Sequence, residues 1–390
     1  MKIIDRHIER TVRSVATQYP IVTITGPRQS GKTTLVKKLF PEKHYVNLEN
    51  PDQREIATQD PRAFLGNLSG GAILDEIQRA PELLSYLQQI VDDKQENGLF
   101  ILTGSNQFSL LRNITQSLAG RTVLLKLLPF SIDEISKQTQ NFSADDYLFQ
   151  GFYPGIYREN RNPTIAYRSY YETYIERDLR QLSQIKDIAL FQRFVRLCAG
   201  RIGSVFNASN LSNEVGVSVP TIKSWLSIMT ASYVVMTLPP FFENISKRLI
   251  KSPKLYFYDV GLAAYLLGIE QTQQISRDPL RGALFENMVL MELVKARFNR
   301  GLDPNLYFFR DSHQNEVDVV FKSGSSLVPI EIKSAQTYHS DFLKGLTYFE
   351  GLFPDRINQR FLIYDGQIEQ QIKRIKIQHC PNAGKILRDS

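Results

Sequence analysis

The run TGPRQSGKTTLVKKLF places Gly26, Gly31, Lys32 and Thr33 at the spacing GxxxxGK[ST]. Each residue type answers a need of phosphate chemistry. Glycines let the backbone wrap close to an anion, and successive N–H groups at a helix N-terminus hold its charge. Gly26, Pro27, Arg28, Gln29, Ser30, Gly31, Lys32, Thr33 and Thr34 form the expected cradle for ATP. Lys32 reaches the β- and γ-phosphates, and the Thr33 hydroxyl ligates Mg²⁺. At ordinary residue usage the pattern arises by chance in roughly one chain of this size in a hundred. The β-branched strand run before it, Ile21–Ile24, and the amphipathic helix pattern after it reduce that further. In GGAILDEIQ, Asp75 and Glu76 close the apolar run Ala72–Leu74. Ligands bind at such carboxyl ends in parallel α/β sheets. Asp75 there holds Mg²⁺ through water, and Glu76 polarises the attacking water as a general base. Ser105 or Asn106, ending LFILTGSN, reads the γ-phosphate or orients the water. Arg121 in SLAGR has two readings, a surface arginine or an arginine finger acting in trans within a homo-oligomer.

A second constellation lies in NEVDVVFKSGSSLVPIEIKS (315–334), which alternates apolar and charged residues about a Gly/Ser turn. That is the pattern of a two-stranded hairpin. Alternation puts Glu316 and Asp318 on one face, and Glu331 and Lys333 opposite Ile330 and Ile332. The two polar faces can then meet, either as a solvated surface or as a metal site for a phosphodiester. The bare motif, Asp followed some ten to twenty residues on by [DE]xK, occurs about once by chance in such a chain. Its setting in the order helix, strand, hairpin, helix, strand gives it weight. Pro329 removes a ladder donor near the start of the second strand (328–333).

At 390 residues, 42% hydrophobic and 22% charged, the chain has room for two or three globular domains. No apolar run approaches the roughly eighteen residues a membrane helix needs. MKIIDRHIER lacks the apolar stretch of a secretory signal. Cys198 and Cys380 give neither a disulfide framework nor a zinc spacing. A cytoplasmic protein with no membrane partner is the expectation. The net charge of +7 leans mildly toward a polyanionic partner.

Strand and helix spacing from Ile21 to Leu128 predicts a three-layer α/β domain with a parallel sheet, within residues 1–140. Residues 141–186 read as a helical linker, with one long helical pattern from Thr164 to Gln184. Residues 187–270 have the order of a winged helix. A helix over 191–203 precedes a second near Ser209–Val215, which Gly216 closes. Ser218 caps the third, with Pro220 in its first turn. Strands YVVMTLPPFFE and KLYFYD follow, joined by a basic loop with Lys247, Arg248, Lys251 and Lys254. Basic wings contact phosphates in DNA readers, but Lys223, Thr221 and Ser224 are thin means for reading bases. DNA contact and a structural or oligomer role both stay open. Trp225 reads as core. The last domain spans 277–390.

The order GPRQSGKTTL, LDEIQ, LTGSN and LAGR, then YYETYIERDLRQL (170–182) and KLYFYDVGLAAYLLG (254–268), resembles the predicted AAA+ superfamily ATPases of bacteria and archaea. The resemblance covers essentially the whole chain. It implies a P-loop AAA+ domain followed by a C-terminal domain, ATP and Mg²⁺ as cofactors, and Arg177 near the nucleotide. Arg177 is there a sensor arginine or, with Asp178 and Arg180, an ordinary ion-pairing residue. The C-terminal element order with D…ExK resembles the PD-(D/E)xK, restriction-endonuclease-like α/β fold. That second resemblance implies Asp318 and Glu331 as ligands of Mg²⁺ or Mn²⁺, Glu286 as a further carboxylate, and Lys333 polarising the attacking water. The same fold also serves degenerate binding roles. The expectation is a DNA-associated ATP-hydrolysing AAA+ ATPase with a metal-dependent, nuclease-like C-terminal domain. The alternatives are a nucleotide-dependent switch that binds nucleic acid or protein without cleaving it, and a protein-remodelling ATPase.

Overall fold

The β-branched and aromatic runs IVTIT, HYVN, AILD, FILTG and TVLLK become strands β1 (Ile21–Thr25), β2 (His44–Asn47), β3 (Ala72–Asp75), β4 (Phe100–Gly104) and β5 (Thr122–Lys126). They pair in the order β2-β3-β4-β1-β5, all parallel. β1, β3 and β4 are buried along their whole length, as strands covered on both faces must be. Alternate side chains feed two cores. Ile21, Leu74, Phe100 and Leu102 pack with Leu83, Leu84 and Leu87 of the helix Leu83–Lys94. Val22, Ile24, Ile73 and Ile101 pack with Leu35, Val36 and Leu39 of the helix Lys32–Leu39. This is the three-layer α/β arrangement. Because neighbouring strands run parallel, the carboxyl ends of β1, β3 and β4 lie side by side and gather the P-loop, Asp75 and Ser105 at one edge.

The computed structural model describes residues 3–105, 114, 117–175, 187–242 and 252–387. They fall into two compact units. One is Met1–Phe130 with Ala231–Tyr233 and Phe298–Leu302; the other is Ser131–Thr230 with Val234–Arg297 and Asp303–Ser390. Asn106, Arg177, Asp178, Arg180, Lys247, Arg248 and Lys251 lie outside the described residues.

In the second unit, the helix Ile188–Ala199 begins earlier than the apolar pattern suggests, because the Asp187 side chain accepts from Leu190 N–H at 3.0 Å and caps it. Ala208–Val215 follows and stops at Gly216, whose φ of 86° needs a residue without Cβ. Val219–Ala231 starts with Thr221 N–H donating to Ser218 Oγ at 3.3 Å. Trp225 is core: its ring meets Phe191 and Phe194 at 5.3 and 5.5 Å. β6 (Val235–Leu238) and β7 (Lys254–Phe257) pair antiparallel, and Val205 bridges to Lys254. One expectation fails here. Lys254 is not an exposed cation for phosphates but is 3% exposed, because it begins the strand on the buried side. The helical pattern expected from Thr164 is described as the helix Pro163–Tyr170 and a π-turn over Tyr171–Ile175.

The helix Arg281–Phe298 precedes a six-stranded sheet of β8 (Leu306–Arg310), β9 (Glu316–Ser323), β10 (Ser326–Lys333), β11 (Arg360–Tyr364), β12 (Gln370–Ile372) and β13 (Ile375–His379). Its order is β12-β13-β11-β10-β9-β8. β9 and β10 form the expected hairpin, with Gly324 at φ 59° in the turn. Pro329 opposes Val320, and the parallel ladder to β11 begins only at Ile330, so the missing N–H falls just before it. The helix Lys344–Leu352 packs Leu346 and Phe349 against Val317, Leu327 and Leu362. No described helix is long and apolar enough to cross a membrane.

Candidate functional site

The P-loop leaves β1 through Gly26, where an added Cβ would stand 2.1 Å from the Leu127 carbonyl oxygen. Gln29 at φ 60° and Gly31 at φ 96° turn the backbone into the helix that Lys32 begins. Lys32 is buried and folds back on the loop, donating to Gly26 O at 3.1 Å and Pro27 O at 2.9 Å. Burial lowers its pKa to about 8, with Glu76 and Asp75 opposing the shift and Arg28 adding to it. Thr33 Oγ1 donates to Asp75 Oδ2 at 2.8 Å, joined there by the Tyr45 hydroxyl at 2.7 Å. Thr103 Oγ1 donates to Asp75 Oδ1. Glu76 sits in the left-handed region, φ 58° and ψ 44°, a costly conformation for a non-glycine that clusters at functional sites. Its Oε2 accepts from Ser105 Oγ at 3.0 Å and from Gln78 Nε2. Ser30 Oγ is buried without a hydrogen-bond partner. An unsatisfied hydroxyl, a buried ammonium and paired hard oxygens suit a polyphosphate with Mg²⁺.

The hairpin's polar faces do meet. Lys333 Nζ stands 2.5 Å from Glu331 Oε1 and 3.6 Å from Asp318 Oδ2. Asp318 Oδ2 also accepts from Ile332 N–H at 2.8 Å. Lys254 Nζ joins from β7, 3.1 Å from Glu286 Oε1 and 2.5 Å from Glu316 Oε1, and the Tyr256 hydroxyl donates to the same Glu286 oxygen. Burial, then the Asp318 charge, raises Glu286 to about 7 and Glu331 to about 8. Burial pulls the two lysines down, but the surrounding carboxylates outweigh it and hold both above their ordinary value. Glu331 Oε2 is buried with no hydrogen-bond partner.

Residues 18–136 match the family model of the AAA domain. Residues 141–273 and 281–382 match two domains of unknown function, DUF8612 and DUF4143. Among curated proteins, the uncharacterised proteins Rv2008c of Mycobacterium tuberculosis and Mb2031c of Mycobacterium bovis are 34% identical over 345 residues, covering 86% of this chain and 75% of each of theirs. This chain belongs to their family. A Methanocaldococcus jannaschii protein, MJ1544, is 23% identical over 403 residues, covering 94% of this chain and 86% of its own. Among solved structures, the Walker-type ATPase PABY2304 of Pyrococcus abyssi aligns at TM-score 0.46 and 17% identity, over 68% of this chain and 96% of that one. The AAA-domain match, on a parallel-sheet core with a P-loop, supports ATP binding and hydrolysis.

Of the residues expected at the nucleotide, the Gly26–Thr34 segment, Asp75 and Glu76 converge on one sheet edge. Arg121 does not. It precedes β5, whose Thr122 is in register with Ile21, so roughly 15 Å of strand separates it from its own P-loop. There it makes a two-pronged pair with Asp92, at 2.6 and 2.7 Å. Sequence reasoning missed Tyr45, Thr103, Gln78 and Arg6. Arg6 is buried and donates to Ser30 O at 2.9 Å and Leu128 O at 2.7 Å, tying the P-loop to the segment after β5. Thr103 lies in a strand whose small polar end was visible; Arg6 carries no local signal.

The Lys32 environment sets a pH dependence. Bound phosphates supply counter-charge, so its pKa rises from about 8 and a proton is taken up on binding. ATP affinity, measured by calorimetry, therefore falls as pH climbs above about 8, and heats recorded in buffers of different ionisation enthalpy show proton uptake. A flat affinity profile between pH 7 and about 9.5 would remove Lys32 from the phosphate contact.

Proposed function

We propose that this AAA-type ATPase is DNA-associated and that Glu286, Asp318, Glu331 and Lys333 form a metal-dependent phosphodiester site of PD-(D/E)xK type. The observation that carries the reading is Glu331 Oε2, a buried carboxylate oxygen without a donor beside Asp318 and Lys333. An unsatisfied buried polar atom costs about 1–3 kcal/mol, which a divalent cation would offset. Three helices followed by a two-stranded ribbon support a winged-helix reading of the middle segment. At the nucleotide, Thr33 and Asp75 would hold Mg²⁺, which neutralises charge on the phosphates. Lys32 positions those phosphates, and Glu76 takes the proton of the attacking water.

The test incubates supercoiled, linear and single-stranded DNA with ATP and Mg²⁺ or Mn²⁺, comparing the wild type with Lys32→Ala and Lys333→Ala. Cleavage that disappears in Lys333→Ala supports the nuclease reading, and the Lys32 variant reports whether ATP gates it. A specific observation favours the second reading, a switch that binds without cutting: the Lys254 ammonium already serves as a cation between Glu286 and Glu316. No cleavage of any substrate with ATP hydrolysis intact selects the switch. Arg121 enters as a finger supplied by a neighbouring subunit of a homo-oligomer. Mixing Lys32→Ala with Arg121→Ala protein then restores turnover that neither has alone; no restoration leaves Arg121 as the partner of Asp92.

A further inference from the structure

Asp365, His379 and Cys380 bring a carboxylate, an imidazole and a thiol within 4.8 Å of one another. β11 and β13 run parallel with Tyr364 opposite His379, so the residues that follow each strand, Asp365 and Cys380, emerge together at the carboxyl edge. Asp365 and Cys380 are buried and His379 half-buried, which leaves the imidazole side as the route in.

The surroundings hold this trio in place. A Cβ at Gly366 would meet the Tyr364 ring at 2.2 Å and Gln336 O at 2.4 Å, so only glycine fits behind Asp365. The Tyr364 hydroxyl donates to Ile368 O at 2.8 Å. His379 N–H and Asn382 Nδ2 both donate to Glu369 Oε1, at 3.2 and 2.6 Å, so the loop after β11 is tied to the segment bearing His379 and Cys380. Arg281 donates to Asp365 Oδ2 at 2.7 Å while gripping Asp145 and Ser334 O at 2.8 and 2.6 Å. An outer partner of this kind orients a ligating carboxylate. Burial lowers the His379 pKa and, as the largest cause, raises that of Cys380, so without a cation the trio holds a neutral imidazole and a thiol.

The plain alternative is an Arg281–Asp365 ion pair with two unrelated neighbours. It accounts for Asp365 but not for sulfur and nitrogen donors meeting it from the adjacent strand. Mixed S, N and O donors suit zinc and its neighbours rather than Mg²⁺. Around a tetrahedral zinc, ligand atoms lie roughly 3.5 Å apart, so the side chains need to close by about 1 Å. We propose that Asp365 Oδ1, a His379 ring nitrogen and Cys380 Sγ form a site for a zinc-class ion, separate from the carboxylates at Glu286, Asp318 and Glu331. Binding exchanges the thiol proton for the metal and releases it to solvent. Three protein ligands leave a fourth position for water or an incoming ligand.

The test loads the full chain with Co²⁺ as a zinc surrogate, dialyses it, and reads metal content by plasma mass spectrometry and the thiolate-to-cobalt charge-transfer band by absorbance. One retained ion per chain with a thiolate band is expected. The band should vanish in Cys380→Ser and the ion in His379→Ala, while Cys198→Ser, changing the only other cysteine, keeps both. ATP turnover in the same samples reports that the variants fold. Zn²⁺ should also raise the melting temperature of the wild type but not of His379→Gln. No retained ion in the wild type, or a band that persists in Cys380→Ser, overturns the site. Because the band requires a sulfur ligand, its outcome is independent of whether Glu331 and Asp318 hold a cation.

Discussion

Replacing Glu76 with glutamine lowers ATP turnover by about 10²–10⁴-fold while ATP affinity stays near the wild-type value. The substitution keeps size and shape but removes the basicity that the proposed role of Glu76, drawing a proton from the attacking water, requires. The surroundings make the comparison clean. Glu76 follows the buried end of β3, its backbone N–H donates to Thr103 Oγ1 at 3.4 Å, and its Oε2 is held by Ser105 and Gln78. A glutamine can take the same place and still accept from either partner through its amide oxygen. The left-handed backbone at Glu76 explains how the carboxylate comes to leave the strand line that Asp75 ends. Single-turnover hydrolysis beside equilibrium binding of a labelled nucleotide separates the two effects. Turnover that survives with less than about a tenfold loss would assign the base to another group. Equal loss of binding and turnover would instead show that Glu76 shapes the pocket.

Removing Lys254 produces the other large effect. Lys254→Met is expected to destabilise the second unit by about 3–5 kcal/mol, because it strips a buried ammonium from two half-buried carboxylates. Lys254 is 3% exposed and bridges Glu286 on the helix Arg281–Phe298 to Glu316 on β9. The loss depends on pH with a definite sign. Glu286 has its folded pKa raised to about 7 from 4.5, so between those values it takes up a proton on folding, and as the neutral acid it needs no counter-ion. Its favourable contribution is lost as pH rises through that value. Denaturant titrations should therefore show a larger difference between variant and wild type at pH 8 than at pH 6. The double variant Lys254→Met/Glu286→Gln should recover much of the stability, since the residues are in contact and their effects couple. Recovery of Lys254→Met by Mg²⁺ at matched ionic strength would mark the cluster as a cation site. A wild-type-like transition at pH 8 would show that the ion pair contributes nothing.

The two chemical constellations differ in how far they could be read from residues alone. The nucleotide site was legible because its determinants are local: a strand, nine consecutive residues and a helix carry Gly26 to Thr34, and the Asp75–Glu76 pair ends the next buried run. Its supporting groups were not. Tyr45 reaches Asp75 from β2 and Arg6 reaches Ser30 and Leu128, contacts set by strand order rather than by any nearby motif. The hairpin 316–333 was also visible, since period-two alternation and a Gly turn specify register. The Lys254 error shows the limit. In a run of Lys and Arg one lysine looks like the next, and only the start of β7 decides that this one turns inward to three acidic neighbours, Glu286, Glu316 and Asp318.

By itself, then, the sequence determined the parallel α/β core, the phosphate cradle with its Asp–Glu pair, and the hairpin that faces Asp318 toward Lys333, because short-range patterns specify backbone conformation and face. The tertiary structure alone decided that Arg121 stands at the far end of its own sheet, that Lys254 is a buried counter-ion, and that Asp365 meets His379 and Cys380. Each of these depends on which strands become neighbours, and strand neighbours are chosen by the burial of whole cores rather than by the residues that end up touching.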